Sequence, residues 1–530
     1  MLQVIVGNIR SRLQGEINDA VSYILTKRLT YRLKDAFYIA GSINQKRQEL
    51  LKDLGPEVMS AATTWDGTIS LYWPENKQFY TGMMSDVLEV LEDAKIQYEI
   101  DDRRERPAQN MPNLKFEPPA FIEQREYQDW TVKRCLDATR GIIHASTGSG
   151  KTLIFTKLIA EIKTSPFIIL VLSIDLMDQA VDTLSKCLRI PIGRVGGGYF
   201  DIQDITVMTV PTAVRALNRN NAKFDITNFK FDDEDAWDEN DTASKNGEAI
   251  ERLIRSAKGV LFDEVHHCSC ESAKEVLLAA KEAYWKFGAS ATIQREDGAE
   301  KMVKALFGRA VVDIPASWLI QNKYLVRPYI FNVKIKDGEA GHYHAYKKIY
   351  SECIVNNKKF NQLVSELVQF FEQRDVSSLT LVQHYDHGYN IQEFLPDLPF
   401  IKGDMAKKGR RVGIQDLRDG KIKSALATSL ADEGLDIKRL GAVIVAGGGK
   451  SITRIYQRIG RVLRTFPGKD KAFAIVFHHD GKHLKKHGTR VKNILAKESE
   501  FRIINSTPET IFDDLSKYFD EEVGTIFGKE

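Results

Sequence analysis

From Arg140 onward, short apolar runs alternate with longer stretches of helical periodicity. Strands that are apolar on both faces must be covered on both faces, so this alternation is typical of parallel sheets with helices on each side. Buried strands are predicted at 141–144, 167–172, 205–210, 260–263, 287–291, 379–382, 425–428, 442–445 and 473–477. The runs form two groups that meet near residues 321–328, which predicts two α/β lobes in tandem.

The residues before the first lobe lack this alternation and end in a charged linker that contains proline. A small, separate α+β domain is predicted there. The predicted domains are 1–112, an accessory domain; 113–320, the first lobe; 321–500, the second lobe; and 501–530, a C-terminal helical extension. The acidic, turn-rich segment 232–246 predicts a surface loop inserted into the first lobe.

Composition excludes few classes of protein. With 75 basic and 72 acidic side chains among 530 residues, the net charge of +3 argues neither for nor against a polyanionic partner. No apolar run approaches the roughly 20 residues that span a bilayer, and the N-terminus turns polar too soon for a signal peptide. The sequence predicts a soluble intracellular protein, in the host cytoplasm if a phage encodes it, and its five scattered cysteines favour a reducing compartment.

The strongest local signal, ASTGSGKT, begins at Ala145 and lies between a predicted strand and a helix that opens at Thr152. Gly148 and Gly150 let the backbone curl so that its amides face a β-phosphate at the N-terminus of this helix. Lys151 is predicted to pair with the β- and γ-phosphates of ATP, and the Thr152 hydroxyl to ligate Mg²⁺. The predicted cofactor-binding residues of this loop are Gly148, Ser149, Gly150, Lys151 and Thr152.

A second signal is the apolar run that begins at Gly259 and ends in two acidic residues. Asp263 is predicted to hold Mg²⁺, commonly through water, and Glu264 to polarise the attacking water. An isolated pair of carboxylates usually lies on the solvent-exposed surface and has no catalytic role. Together with the phosphate-binding loop, this pair at the end of a buried strand predicts an enzyme that hydrolyses ATP.

The continuation of these acids as Asp-Glu-Val-His resembles the DExH helicases of superfamily 2, and the match extends over about residues 121–480. The resemblance implies two RecA-like lobes with ATP bound between them, and it implies that Gln128 reads the adenine base. It also implies a set of residues that couple the nucleotide state to the lobes: His266, Ser290, Ala291 and Thr292.

Two segments of the second lobe resemble motifs V and VI of the same family: 427–437 and 457–464. The resemblance implies ATP contacts for Gly434, Asp436 and Gln457. Arg461 and Arg464 stand three positions apart, which on a helix presents two guanidinium groups on one face, suited to phosphate contact. The resemblance implies that one or both act as arginine fingers.

Contacts with nucleic acid are less sharply encoded, because a motor grips phosphates through backbone amides and hydroxyls that many sequences supply. The basic segment 482–492 is either a phosphate contact or a solvated helix face. The candidate contacts with a strand are Ser173, Gln179, Thr209, Thr212, Arg295, Gln383, His387, Gly403, Thr428 and Ser429.

Two further resemblances indicate a subgroup. The tripeptide 295–297, Arg-Glu-Asp, is similar to an element of helicases of the XPB type. Residues 64–71 and 79–82 resemble the accessory domain of the phage UvsW recombination and repair helicases, which remodel branched DNA. A β-hairpin core with an Asp-Gly turn is the plainer interpretation of the same residues.

These observations predict an ATP- and Mg²⁺-dependent DNA helicase or translocase that reverses forks and migrates junctions in recombination, repair or replication. The predicted partners are branched or forked DNA, held by single-strand contact in the motor groove, and recombination or replication proteins, with no membrane. The implied role of residues 1–112 is substrate recognition. Three alternatives remain open: a duplex-DNA translocase of a restriction or remodelling system, an RNA helicase, and an ATP-dependent DNA clamp of low turnover.

Overall fold

A computed structural model describes residues 1–32, 66–220, 242–265, 271–291, 300–338, 345–403, 405, 407–428, 437–447, 459–460, 462–481 and 483–520. By its internal contacts the chain divides into two compact units. The first contains Met1–His144 and Lys151–Asp313, and the second contains Ala145–Gly150 and Ile314–Glu530. Within the described ranges, no helix has both the length and the apolar character needed to cross a membrane.

The N-terminal residues of the first unit form a small α+β structure, as predicted. Its five-stranded sheet has the order β5-β6-β2-β1-β7, and β3 pairs antiparallel with β4. The elements are β1 (Leu2–Val6), β2 (Arg10–Gln14), α1 (Asp19–Arg28), β3 (Thr30–Arg32), β4 (Thr68–Ser70), β5 (Tyr72–Trp73), β6 (Gln78–Tyr80), α2 (Met84–Asp93) and β7 (Tyr98–Asp102). The β5–β6 hairpin turns at residues 74–77, so the Asp-Gly pair, which precedes β4, is not the turn of this hairpin. Trp65 lies outside the described residues.

The rest of the first unit is a sheet with helices, in the order β11-β10-β12-β9-β13-β14-β8-β15. The five pairs from β10 to β8 are parallel, so the predicted parallel lobe is confirmed. Its strands are β8 (Arg140–Ala145), β9 (Phe167–Val171), β10 (Gly193–Gly196), β11 (Tyr199–Asp201), β12 (Ile205–Thr209), β13 (Gly259–Asp263), β14 (Trp285–Ser290) and β15 (Ala310–Ile314). Its helices are α3 (Glu126–Ala138), α4 (Lys151–Ile162), α5 (Ile174–Leu188), α6 (Val210–Leu217), α7 (Thr242–Ser256), α8 (Glu271–Ala279) and α9 (Glu300–Phe307).

The N-terminal sheet and the first lobe share one hydrophobic core, which runs from Leu2 to Phe307. Polar contacts join them as well. The Lys301 ammonium donates to the carbonyls of Arg28, at 2.8 Å, and Thr30, at 3.0 Å. The described residues of the N-terminal sheet therefore pack directly on the lobe. The boundary at residue 112 remains a prediction, whereas contact between the two parts is a finding.

Gly82 is a point of close backbone approach in this packing. A Cβ built on Gly82 would lie 2.2 Å from the Lys304 carbonyl oxygen and 2.4 Å from that of Ala305, both in α9. Backbone atoms cannot swing aside as a side chain can. Only glycine allows this approach without a shift of α9 or of the N-terminal sheet.

We expect Gly82→Ala to lower the free energy of unfolding by about 1–3 kcal/mol, the typical cost of overpacking a core. Chemical denaturation of the full chain measures this difference. The matched control is Gly409→Ala, since a Cβ there meets only the Met405 methyl at 3.4 Å, and we expect it to be neutral or slightly stabilising. Equal stability of the two variants would show that the N-terminal domain is not pressed against α9.

The second unit contains a seven-stranded sheet of order β18-β19-β17-β20-β21-β16-β22, and all six strand pairs are parallel. The second predicted parallel lobe is thus confirmed. Its strands are β16 (Pro328–Ile335), β17 (Ser378–Val382), β18 (Phe400–Ile401), β19 (Ser424–Thr428), β20 (Ala442–Val445), β21 (Ala472–His479) and β22 (Arg502–Ser506). Its helices are α10 (Ala316–Gln321), α11 (Tyr346–Tyr350), α12 (Lys358–Gln373), α13 (Tyr385–Gln392), α14 (Lys407–Asp419), α15 (Leu484–Leu495) and α16 (Ile511–Asp520).

Two predicted segments are corrected. Residues 501–530 are not simply a helical extension, because Arg502–Ser506 pairs with β16 as an edge strand of the second sheet, and only Ile511–Asp520 is helical among its described residues. The predicted loop 232–246 is wrong at its end, because α7 begins at Thr242. Ile250 and Ile254 of α7 are fully buried, so the helix is held by the core of the lobe. Residues 232–241 lie outside the described part of the chain.

Candidate functional site

Three parallel strands of the first sheet place their carboxyl ends at one edge. In the register of the sheet, His144 of β8 lies opposite Ser290 of β14, and Asp263 of β13 lies opposite Ala289. The chemistry-bearing residues follow the last residues of these strands. Sequence-distant groups therefore meet at this edge, which is where ligands bind in open α/β sheets.

The phosphate-loop segment has the strand–turn–helix form that its motif requires. Strand β8 ends at Ala145, and α4 begins at Lys151, one residue before the predicted start. Gly148 and Gly150 have φ of +84° and +77°, in the left-handed region that glycine adopts without a steric penalty. The Ser149 N–H donates to the Ser146 carbonyl at 3.1 Å and closes the turn.

A lysine, a carboxylate and a hydroxyl converge at the edge of the first sheet. The Lys151 Nζ lies 3.4 Å from Glu264 Oε1, and both side chains are largely buried. The Ser290 hydroxyl donates to the other carboxylate oxygen, Oε2, at 3.5 Å. Glu264 thus joins the predicted phosphate-binding lysine to the predicted coupling motif. This contact network is called the Lys151–Glu264–Ser290 cluster below.

The backbone at Glu264 is strained. Its φ is +56°, a conformation that costs a residue with a side chain about 1–3 kcal/mol and that occurs often at functional sites. The Glu264 N–H donates to the Asp263 Oδ1 at 3.0 Å, which supports the turn. Glu264 Oε1 and Oε2 contact Lys151 and Ser290, whereas Asp263 Oδ1 accepts from the backbone, so the two neighbouring carboxylates have different partners.

The residues at this edge fit a nucleotide with Mg²⁺. The ammonium of Lys151 and the N-terminus of the 12-residue helix α4 both favour a polyphosphate. Thr152 and Asp263 both line one small cavity, and a hydroxyl and a carboxylate are oxygen ligands of the kind that Mg²⁺ prefers. Gln179, a predicted strand contact, lines this cavity too.

Gln128 is held inside the first unit, with only 1% of its surface exposed. Its Oε1 accepts from the Arg125 N–H at 3.3 Å, which caps the start of α3. Gln128 therefore has a clear structural role, and its predicted contact with adenine remains a prediction.

Arg464 in the second unit lies close to the phosphate-loop residues that cluster with this unit. A Cβ on Gly148 would lie 2.8 Å from Leu325 Cδ2 and 3.7 Å from Arg464 Cγ. Leu325 forms an isolated antiparallel bridge with Arg464, and the Val326 N–H donates to the Leu463 carbonyl at 2.7 Å. The backbone of Arg464 is therefore fixed beside the loop.

Most of the described strand-contact candidates have inward-facing side chains. Ser173 caps α5 by accepting the Leu176 N–H, and the buried hydroxyls of Thr209 and Thr212 bond each other at 2.9 Å. His387 is fully buried, and burial lowers its pKa to about 3. Gly403 and Thr428 are also buried, whereas Gln179 and Gln383 are exposed. Only these two glutamines among the described candidates present side chains to solvent.

Several predicted residues lie outside the part of the chain that the structure describes. They belong to the coupling motif, the Arg-Glu-Asp tripeptide, and motifs V and VI. They are His266, Thr292, Arg295, Ser429, Gly434, Asp436, Gln457 and Arg461.

Sequence reasoning missed His144, the residue directly before the loop. Its Nδ1 lies 2.6 Å from Asp313 Oδ1, and its Nε2 lies 3.1 Å from the Ala291 carbonyl oxygen. The imidazole therefore ties the end of β8 to the predicted coupling motif and to β15. No motif marks this histidine, and only the register of β8 against β14 reveals its neighbours.

Two family models match the chain, and together they span more than half of it. The model described as "Type III restriction enzyme, res subunit" matches residues 121–295. The model described as "Helicase conserved C-terminal domain" matches residues 358–466. The two matches fall on the two parallel sheets that were predicted as lobes.

The curated relatives have low sequence identity to this chain, but most of the matches described here cover about two thirds of it. A putative helicase 22 of Sulfolobus islandicus filamentous virus is 25% identical over 68% of this chain and 65% of its own length. The DNA 3'-5' translocase XPB2 of Sulfurisphaera tokodaii is 26% identical over 67% of this chain and 81% of its own. The ATP-dependent DNA helicase uvsW of Enterobacteria phage T4 is 23% identical over 40% of this chain and 43% of its own length. The chain thus spans less than two thirds of two of these relatives.

Among solved structures, S. cerevisiae Dbp5 bound to RNA and ADP BeF3 is similar, with a TM-score of 0.51 and 16% identity. The similarity covers 75% of this chain and 93% of that chain. At this identity it supports the fold of the two lobes alone.

Proposed function

Since the chain belongs to superfamily 2 of the helicases, we propose that it is an ATP-driven DNA helicase or translocase that remodels branched DNA. The observation that carries the enzymatic part is the Lys151–Glu264–Ser290 cluster at the carboxyl edge of the first sheet. A lysine, a carboxylate on a strained turn and a hydroxyl of a second motif meet there, next to an anion-binding loop.

Bound ATP and Mg²⁺ supply the phosphoryl group and the charge neutralisation for hydrolysis. Lys151 exchanges its contact with Glu264 for phosphate oxygens, which frees the carboxylate to orient the attacking water. Thr152 and Asp263 are the residues that would hold the metal, through oxygen ligands. The Ser290 hydroxyl donates to the same carboxylate, so a change in the partner of Glu264 would alter this hydrogen bond. Arg464 would stabilise the charge that develops on the γ-phosphate during hydrolysis.

The choice of DNA as substrate rests on the relatives, which include a DNA 3'-5' translocase and an ATP-dependent DNA helicase. The proposal for branched DNA rests on the N-terminal domain. A motor that grips phosphates does not recognise a junction, so the preference requires a second surface. The N-terminal domain packs on the first lobe through a shared core and can hold such a surface at a fixed distance.

A duplex-DNA translocase is a second candidate, favoured by the match of residues 121–295 to the restriction-enzyme subunit model. Such a motor moves along a duplex without separating its strands. Displacement of a triplex-forming oligonucleotide detects movement along a duplex, whereas release of a labelled strand detects separation.

We expect DNA to stimulate ATP hydrolysis. We also expect the rates of unwinding and annealing to be higher on forks and Holliday junctions than on tailed duplexes or RNA duplexes. Rates should be measured at two salt concentrations, because phosphate contacts weaken steeply with salt and mask a structural preference. Glu264→Gln is the control for dependence on ATP hydrolysis, since it keeps the shape of the side chain and removes the charge that is proposed to orient the attacking water. Triplex displacement without unwinding would favour the duplex translocase, and nucleotide-dependent binding without turnover would favour a clamp.

A further inference from the structure

Lys469 lies in a turn just after the segment that was predicted as motif VI. Its Nζ donates to the carbonyl oxygens of Leu440 at 2.6 Å, Arg464 at 2.9 Å and Lys438 at 3.3 Å. A lysine ammonium has three N–H donors, and three carbonyl oxygens accept them. The contact set therefore matches the protonated side chain completely.

The three carbonyls belong to two segments that are distant in sequence. Lys438 and Leu440 directly follow the predicted motif V, 427–437, and Arg464 is the last residue of the predicted motif VI, 457–464. One ammonium thus joins the ends of both nucleotide-contacting segments. Its acceptor on Arg464 is the carbonyl of the predicted arginine finger itself.

The turn that carries Lys469 is itself ordered. The Lys469 N–H donates to the Phe466 carbonyl at 2.9 Å, and Gly468 has a φ of +75°, as a tight turn requires. Lys469 is partly buried. The ammonium is therefore held in place by its own backbone as well as by its acceptors.

We propose that Lys469 is a positioning residue for ATP hydrolysis, because its ammonium fixes the backbone of Arg464 against the end of motif V. The proposal rests on the proposed function, in which Arg464 reaches the γ-phosphate. Lys469 touches neither nucleotide nor water in this mechanism. It acts by holding the guanidinium-bearing residue at one distance from the phosphate loop.

Burial, and secondarily the positive charge of Arg464, lower the pKa of Lys469 to about 7. The charged side chain that acts on the Lys469 ammonium is that of Arg464. Below pH 7 the three N–H donors are present. Above pH 7 the neutral amine keeps two N–H donors, so one of the three carbonyls loses its hydrogen bond. The backbone of Arg464 is then held less firmly.

The chain offers a matched control two residues away. Lys471 Nζ also donates to backbone carbonyls, those of Tyr518 at 3.2 Å and Phe519 at 2.8 Å. These acceptors lie on α16, away from motifs V and VI. Lys471→Met therefore removes the same kind of bond from the same lobe without touching Arg464.

We expect Lys469→Met to lower kcat about 10- to 100-fold, the effect of displacing a catalytic group by about 1 Å, and to leave the KM for ATP nearly unchanged. Lys471→Met should lose stability but retain kcat. Steady-state ATPase assays on the full chain with saturating DNA, together with thermal unfolding, separate the two effects. Similar kcat values for the two variants would overturn the proposal.

The pH profile is a readout that a purely structural lysine would not move. Wild-type kcat should fall as pH rises through about 7, because the third donor is lost with the proton. Lys469→Arg keeps its positive charge over this pH range. The variant should therefore remain active, and its kcat should not fall as the pH rises through about 7. Identical profiles for wild type and Lys469→Arg would contradict the role of the ammonium.

Failure of this inference is distinguishable from failure of the proposed function. If wild type hydrolyses ATP and Arg464→Ala abolishes it, a normal Lys469→Met variant refutes only the positioning role. If wild type shows no turnover, the proposed function fails, and hydrogen exchange of residues 437–447 and 459–470 still tests whether Lys469 holds the backbone of Arg464. Faster exchange in both segments of Lys469→Met, but not of Lys471→Met, supports it, and unchanged exchange refutes it.

Discussion

Replacing Lys151 with alanine is expected to lower ATP turnover by about 10³-fold or more, because it removes the cation that faces the phosphates in a water-poor site. The side chain is 11% exposed and contacts Glu264 at 3.4 Å, so it contributes charge more than core volume. The fold should survive. Steady-state ATP hydrolysis and circular dichroism of the purified full chain measure the two properties.

The control for Lys151→Ala is Lys186→Ala in the same lobe. Lys186 pairs with Asp182 on the exposed face of α5, an i,i+4 pair worth about 0.5 kcal/mol or less. Its removal should leave turnover unchanged. A folded Lys151→Ala variant with near-normal hydrolysis would reject the assignment of the phosphate loop.

Arg464→Ala is expected to lower kcat by about 10³-fold while leaving nucleotide binding nearly intact, as for the loss of an arginine finger. The Arg464 Cγ lies in the second unit beside Gly148, and its guanidinium would act on charge that develops only during phosphoryl transfer. Binding of a fluorescent ATP analogue and single-turnover hydrolysis separate affinity from chemistry.

Arg464→Lys is the matched variant, because it keeps the charge and loses the planar fork that binds two phosphate oxygens. We expect it to recover only part of the lost rate. A collapse of ATP affinity in Arg464→Ala would instead identify Arg464 as a ligand of the ground state. Normal turnover would shift the role to Arg461, which lies outside the described residues.

The two lobes could be predicted because each buried strand is a continuous apolar run. The strands predicted at 167–172 and 442–445 are found at Phe167–Val171 and Ala442–Val445. Other strands were missed. Pro328–Ile335 is a buried interior strand, and it was missed because it falls where the lobes were expected to join. Arg502–Ser506 is a half-exposed edge strand with little apolar pattern, and such strands depend on their partners more than on their own residues.

The site was predictable where function fixes the order of residues along the chain. Lys151 and Glu264 follow motifs whose spacing is set by phosphate and metal chemistry, and the structure brings their side chains together. Strand contacts were less predictable. Hydroxyls such as Thr209 and Thr212 serve equally well as buried partners of each other, and only packing decides between an inward and an outward orientation.

The sequence by itself determined the class of fold, the phosphate loop and the paired carboxylates, because local periodicity and short-range geometry encode them. Tertiary structure alone decided that the N-terminal domain packs on α9 through Gly82, that His144 joins Ala291 to Asp313, and that Lys469 holds the carbonyl of Arg464. Each of these contacts joins residues whose proximity depends on the register and order of strands. Such contacts leave no periodic signal in the chain, since they arise only after distant segments have packed.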